Sequence, residues 1–172
     1  LNTSPVREID NPNAYVLYWM QAAQRACDNH ALEYAIQEAN RIGLPVVVCF
    51  GLDANYPDAN ARHFAFLLEG LREVGQDLEN RHIRLIVRYG QPDTVALQMS
   101  RRAALVVTDA GHLRHQRQWR EYLASEARCQ VVEVETNLTV PVPVVSGKQE
   151  FAARTIRKKI HEHAGDYLIE LN

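Results

Sequence analysis

The stretch AYVLYWMQAAQR, Ala14–Arg25, decides how the rest of the chain is read. From Ala14 to Met20 it is apolar without a break, short, and rich in the aromatic and branched residues that suit a pleated sheet. Such a run, lacking polar alternation, is that of a strand covered on both faces, as in a parallel sheet. Its end is distinctive. Where a nucleotide-binding loop would begin with glycine, this chain has Trp19, Met20 and the amide Gln21, followed by Gln24 and Arg25. The strand delivers large apolar groups and hydrogen-bonding side chains in place of a bare backbone.

Four more runs share the character of the first: Leu44–Gly51, Ile83–Tyr89, Ala104–Asp109 and Val131–Glu135. Between them lie segments of helical period. Leu32, Ala35, Ile36 and Ala39 form one stripe, with Asp28 or Asn29 as N-cap and Gly43 then Pro45 as the stop. Phe64, Leu67, Leu68, Leu71, Val74 and Leu78 form a second stripe. A short helix is expected over Pro92–Arg102, and a fourth carries Trp119, Tyr122, Leu123 and Ala127 on one side. Strands alternating with helices in this way predict an α/β fold. The expected form is a doubly wound, Rossmann-like five-stranded parallel sheet with helices on both faces.

After Glu135 the composition changes. TNLTVPVPVVSGKQ, with Pro141 and Pro143, reads as an extended surface connection, and EFAARTIRKKIHEHAGDYLIELN then starts a helix with few partners. Residues 1–135 are therefore expected to form one unit. Residues 136–172 are expected to form a connector and first helix leading to a further domain.

Composition excludes more than it selects. The 172 residues carry a net charge of −2, which gives no general attraction for a polyanion. Cys27, Cys49 and Cys129 are far apart and form no CxxC pair, so neither a zinc ribbon nor a redox dithiol is expected. Unpaired thiols, no apolar leader and no membrane-length apolar run suit a cytoplasmic protein away from membranes. His112 with His115 and His161 with His163 lack a third metal ligand, so no metal is expected. Arg114, Arg117 and Arg120 read as a solvated helix face, and no catalytic set is visible.

Ligands of open α/β sheets bind outside the carboxyl ends of the strands. Those ends gather Trp19, Met20 and Gln21; Cys49, Phe50, Gly51 and Leu52; Tyr89 and Gly90; and Thr108 to Gly111. No GxGxxG or GxxxxGK[ST] follows any strand, which argues against a dinucleotide or P-loop phosphate site. A flat heteroaromatic ligand fits better, with apolar faces to stack and ring heteroatoms for Gln21 or Asp109. Trp19, Met20 and Phe50 also fit plain core packing, and Asp109 fits a cap on the helix that follows it.

Four long stretches are similar to the class II cyclobutane pyrimidine dimer photolyases of the photolyase/cryptochrome superfamily. They are Tyr15–Asn40, Ala59–Val74 (ANARHFAFLLEGLREV), Gly111–Glu121 (GHLRHQRQWRE) and Phe151–Ile160 (FAARTIRKKI). The resemblance covers almost the whole chain. It implies an N-terminal α/β antenna domain, with an antenna chromophore of deazaflavin or folate type. It also implies a C-terminal helical domain, outside this sequence, that holds FAD and meets damaged DNA. Carried over by position, the pocket residues would be Met20, Gln21, Arg25, Cys49, Phe50, Leu52, Asp109 and Leu113, with Arg62 a weaker addition. The longer protein would be a deoxyribodipyrimidine photo-lyase, and the chain alone would be inactive. Two other readings are a stand-alone nucleotide-binding module of the universal-stress or electron-transfer-flavoprotein type, and a cryptochrome-like signalling domain.

Overall fold

The computed structural model describes residues 2–3 and 14–168. The sequence's expectations for the other terminal residues lie outside that range. Among the described residues six strands form one sheet: β1 (Asn2–Thr3), β2 (Tyr15–Trp19), β3 (Val46–Leu52), β4 (Arg84–Tyr89), β5 (Ala103–Asp109) and β6 (Gln130–Val134). The order across the sheet is β1-β6-β5-β2-β3-β4. The five longer strands are parallel, as expected, and β1 adds a short antiparallel edge beside β6.

The helices α1 (His30–Ile42), α2 (Ala61–Asn80), α3 (Pro92–Ser100) and α4 (Arg114–Glu126) cross between the strands. Side-chain alternation along β2 splits the core in two. Val16, Tyr18 and Met20 face Leu32 and Ala35 of α1 and Leu71, Val74 and Leu78 of α2. Leu17 and Trp19 face Ala96 and Met99 of α3 and Leu123 of α4. That is the doubly wound arrangement. β2, β3 and β5 are almost entirely buried, which is why they read as unbroken apolar runs. β4 is the sheet edge and exposes Arg84, Arg88 and Tyr89.

Local signals act where the sequence places them. The Asn29 side chain caps α1 by accepting the N–H of Leu32, and Gly43 ends that helix in the left-handed region at φ 70°. One expectation changes. The second helical stripe does not bury along its length: only Leu71, Val74 and Leu78 of α2 lie in the core. The first half of α2 borders a cavity lined by Phe64, Phe66 and Leu67, of which Leu67 also packs against the core.

Beyond β6 the chain is less extended than its prolines suggest. A short helix, α5 (Val142–Val145), interrupts the connection, with proline near its start, and α6 (Ala153–Tyr167) rests against it. No residue of α6 is buried. Lys159 of α6 is tied to Ser146 and to Glu150, and the hydrogen bonds that Lys159 and Ser146 both give to Glu150 pull its carboxyl down to about 2.

Candidate functional site

Strand order reverses between β2 and β5, and the loops leaving those two strands meet at that switch point. The contact there is made by Asp109, the last residue of β5, which is completely buried. Its Oδ1 accepts the backbone N–H of Gln21 at 2.8 Å and the Tyr18 hydroxyl at 3.1 Å. Its Oδ2 accepts the N–H groups of Ala22 at 2.6 Å and Ala23 at 2.9 Å. Asn29 extends the network by donating to the Tyr18 hydroxyl and to the carbonyls of Ala23 and Arg25. Burial, and then the neighbouring carboxylate, raise the Tyr18 phenol well above its ordinary value, which keeps it a neutral donor.

Three consecutive N–H groups after the first strand of such a sheet are what an anion-binding loop directs at phosphate. Here an internal carboxylate takes all three. Asp109 therefore neither caps α4, which starts at Arg114 behind Leu113, nor lines a ligand cavity.

Beside this plugged position lies a cavity of about 640 Å³, within the range of small-molecule sites. Met20, Gln21, Ala22 and Gln24 form one wall, and Phe50, Gly51, Leu52 and Asp53 the base. Phe64, Phe66, Leu67 and Gly70 of α2 roof it. Tyr56 of the β3–α2 loop and Gln116 and Trp119 of α4 complete the enclosure. Tyr56, His115 and Trp119 form an aromatic cluster, in which the Tyr56 hydroxyl lies 3.1 Å from the His115 Nε2 and the His115 and Trp119 rings meet edge-on. Two glycines let the walls close. A Cβ on Gly51 would sit 2.5 Å from the Cα of Pro92, and one on Gly111 would sit 2.4 Å from the Gln116 Oε1 that accepts the N–H of Leu113.

Of the nine residues expected from the sequence, Met20, Gln21, Phe50 and Leu52 lie on this wall, and the structure places five elsewhere. Asp109 is consumed by the loop. Cys49 alternates to the opposite face of β3, fully buried, and burial pushes its thiol up to about 12. Arg25 holds the loop to the segment after β6, donating to Asn137 Oδ1 at 2.8 Å and to the Thr136 carbonyl at 2.9 Å. Arg62 is exposed in the first turn of α2, and Leu113 is exposed at the start of α4. Tyr56, Phe66, Gln116 and Trp119 were not foreseen. Phe66 carried a signal, since it stands off the helical stripe where a solvated face would be polar.

Arg120 is likewise no part of a solvated face. It is 8% exposed, and its guanidinium donates to Glu133 Oε2 at 2.9 Å and to Gln21 Oε1 at 3.2 Å. Gln21, 7% exposed, is left with a buried amide nitrogen that has no partner. A buried N–H without an acceptor costs about 1–3 kcal/mol. That cost is what a ligand atom can relieve.

The chain matches the family model described as DNA photolyase over residues 16–171. It is 43% identical to a deoxyribodipyrimidine photo-lyase of Methanothermobacter thermautotrophicus, over 95% of this chain and 37% of that protein. With the photo-lyase of Potorous tridactylus it shares 38% identity, over 94% of this chain and 31% of that protein. The chain thus spans about a third of the length of the curated relatives it matches. Among solved structures it resembles an archaeal photolyase from Sulfolobus tokodaii, described as holding two FAD molecules and implying a novel light-harvesting cofactor. The TM-score is 0.68 at 19% identity, over 86% of this chain and 34% of that one. A universal stress protein in complex with cAMP gives a TM-score of 0.51 at 14% identity, over 72% of this chain and 98% of that one. At such identities these structures speak for the fold alone.

Proposed function

The chain belongs to the DNA photolyase family, and from that premise we propose that it is the light-gathering domain of a class II deoxyribodipyrimidine photo-lyase. The longer protein would use light to split cyclobutane pyrimidine dimers in DNA, with FAD and the damaged base in a helical domain beyond this sequence. In this reading residues 1–135 form the antenna domain, and residues 136–172 connect it to the helical one. The class II assignment rests on the four long stretches of sequence given above.

One observation carries the antenna role: the switch-point cavity is bounded by side chains, while the adjacent backbone N–H groups are already taken by Asp109. A nucleotide site built on this loop would need those N–H groups free for phosphate. A planar chromophore needs none of them. It needs apolar surfaces for its faces, which Phe50, Leu52, Leu67 and Trp119 offer, and an orienting polar contact at its edge, which Gln21 offers.

A chromophore of deazaflavin or folate type fits these residues by size and by the unpaired Gln21 amide. When bound, it supplies the absorption of light and the transfer of excitation energy. The protein's own part is to exclude water, to hold the ring rigidly and to fix its orientation. Fluorescence titration of the purified chain with 5-deazariboflavin tests the proposal. Saturable binding at one site per chain is expected, and a flat titration overturns it.

A further inference from the structure

Resting on the reading of this cavity as a ring-binding site, we propose that Arg120 fixes the polarity of the Gln21 amide, so that the site selects rings presenting a carbonyl oxygen to Gln21. A glutamine side chain can offer either end to a ligand, and rotation of the amide normally lets it choose. Here it has no choice. Arginine is only a donor, so the amide end on Arg120 Nη1 must be the oxygen, and the NH2 must be the end without a partner.

Arg120 is itself held in place. Its Nε donates to Glu133 on β6, and its Nη1 also reaches the Gln116 carbonyl at 3.3 Å, within its own helix. The order β6–α4–β2 is therefore read out as the orientation of one amide. Arg120 touches no ligand in this scheme. It is a positioning residue, and Gln21 is the contact.

Two other wall residues have the same sign. Gln116 Oε1 accepts the N–H of Leu113, which leaves its amide nitrogen as the group a ligand can use. His63, which also lines the cavity, accepts the N–H of Asn60 at Nδ1, which leaves Nε2 as its donor. Acceptors are supplied by Asp53, whose Oδ1 takes the N–H of Asn55, and by Gln24, whose Nε2 is spent on the Gln21 carbonyl. Asp53 and Gln24 are more exposed than Gln21. The deepest polar group is thus a donor. A ring that turns an N–H toward it would set donor against donor. A carbonyl there would remove the unpaired N–H.

The test reads the amide directly. In 15N–1H spectra of the purified chain the Gln21 side-chain pair is identified by its loss in Gln21→Met. Spectra are recorded with succinimide, a small imide with two carbonyls and no fused ring, and separately with 5-deazariboflavin. Both probes are expected to shift the Gln21 pair. Gln21→Glu keeps the contact with Arg120 but replaces the donor by an acceptor, and should weaken 5-deazariboflavin at least about tenfold. Arg120→Met should weaken it by about fivefold, and by nothing further once Gln21 is already Met. Binding of 5-deazariboflavin with an unmoved Gln21 pair, or equal affinity for Gln21→Glu, overturns the polarity assignment and leaves the antenna role standing. A shift with succinimide and no binding of the tricycle does the reverse. A Gln21 pair unmoved by either probe, with no binding, ends both.

Discussion

The Oδ2 atom of Asp109 lies 2.6 Å from the backbone nitrogen of Ala22, across the switch point from one parallel strand to its neighbour. Together with the N–H groups of Gln21 and Ala23, that contact makes the carboxylate an internal substitute for a bound anion. The consequence is a division of space. The position a phosphate would occupy is filled by the protein, and what remains open is the side-chain-lined cavity beside it.

Asp109→Asn should therefore unsettle the fold, not a ligand. An asparagine offers one acceptor oxygen and turns an NH2 toward donors, leaving buried N–H groups unpaired. A loss of about 2–4 kcal/mol in urea unfolding is expected. A change within about 0.5 kcal/mol, ordinary for a surface site, would mean the loop does not depend on this carboxylate.

The two cavity-lining glycines of β3 and α2 should respond oppositely to alanine. At Gly51 the new methyl meets the Pro92 backbone at 2.5 Å, and relief requires α3 to shift, so a destabilisation of about 1–3 kcal/mol is expected. At Gly70, inside α2, nothing lies within 4 Å. Gly70→Ala should stabilise by about 0.5–1 kcal/mol through helix propensity. Thermal denaturation of the pair checks both signs.

Phe66 is 80% exposed yet borders the cavity, so binding and folding separate cleanly there. Phe66→Ser should leave stability unchanged within about 0.5 kcal/mol and weaken 5-deazariboflavin about fivefold. Unchanged affinity would remove the α2 roof from the binding site.

The thiols should react unequally. Cys27 is exposed, while burial raises Cys49 to about 12 and Cys129 to about 11. One equivalent of a chromogenic disulfide reagent should be consumed by the native chain at pH 8, and three after unfolding. Two or more fast equivalents in the native state would contradict the packing of β3 or β6.

The connector should show its own pH dependence. Glu150 is lowered from 4.5 to about 2 by its contacts with Lys159 and Ser146. A depressed carboxyl contributes stability above its unfolded value and loses it as pH falls, so the contribution should fade between about 4.5 and 2. NMR titration of the Glu150 carboxyl should give a midpoint near the lower figure. Lys159→Met should return that midpoint toward the ordinary one.

Much of this was legible in one dimension. The unbroken apolar runs of β2, β3 and β5 announce strands covered on both faces, and they alternate with helical stripes, so the doubly wound sheet follows from composition and period. Asn29 and Gly43 mark the ends of α1 for the same local reason: a cap is decided by a few neighbouring residues. Met20, Gln21, Phe50 and Leu52 line the cavity near the strand ends, where the sequence puts them.

Tertiary structure alone decided which way each remaining side chain turns. Asp109 ends β5 and Cys49 lies inside β3, yet one is taken by three N–H groups of the neighbouring loop and the other falls on the face away from the cavity. Arg120 looks like part of a charged helix surface until β6 brings Glu133 against it and β2 brings Gln21. Partners some 90 to 100 positions apart, such as Gln21 with Asp109 or Arg120, leave no periodic trace in a sequence, because periodicity records only how one element meets its surroundings. The elements were written locally. The site was made where they meet.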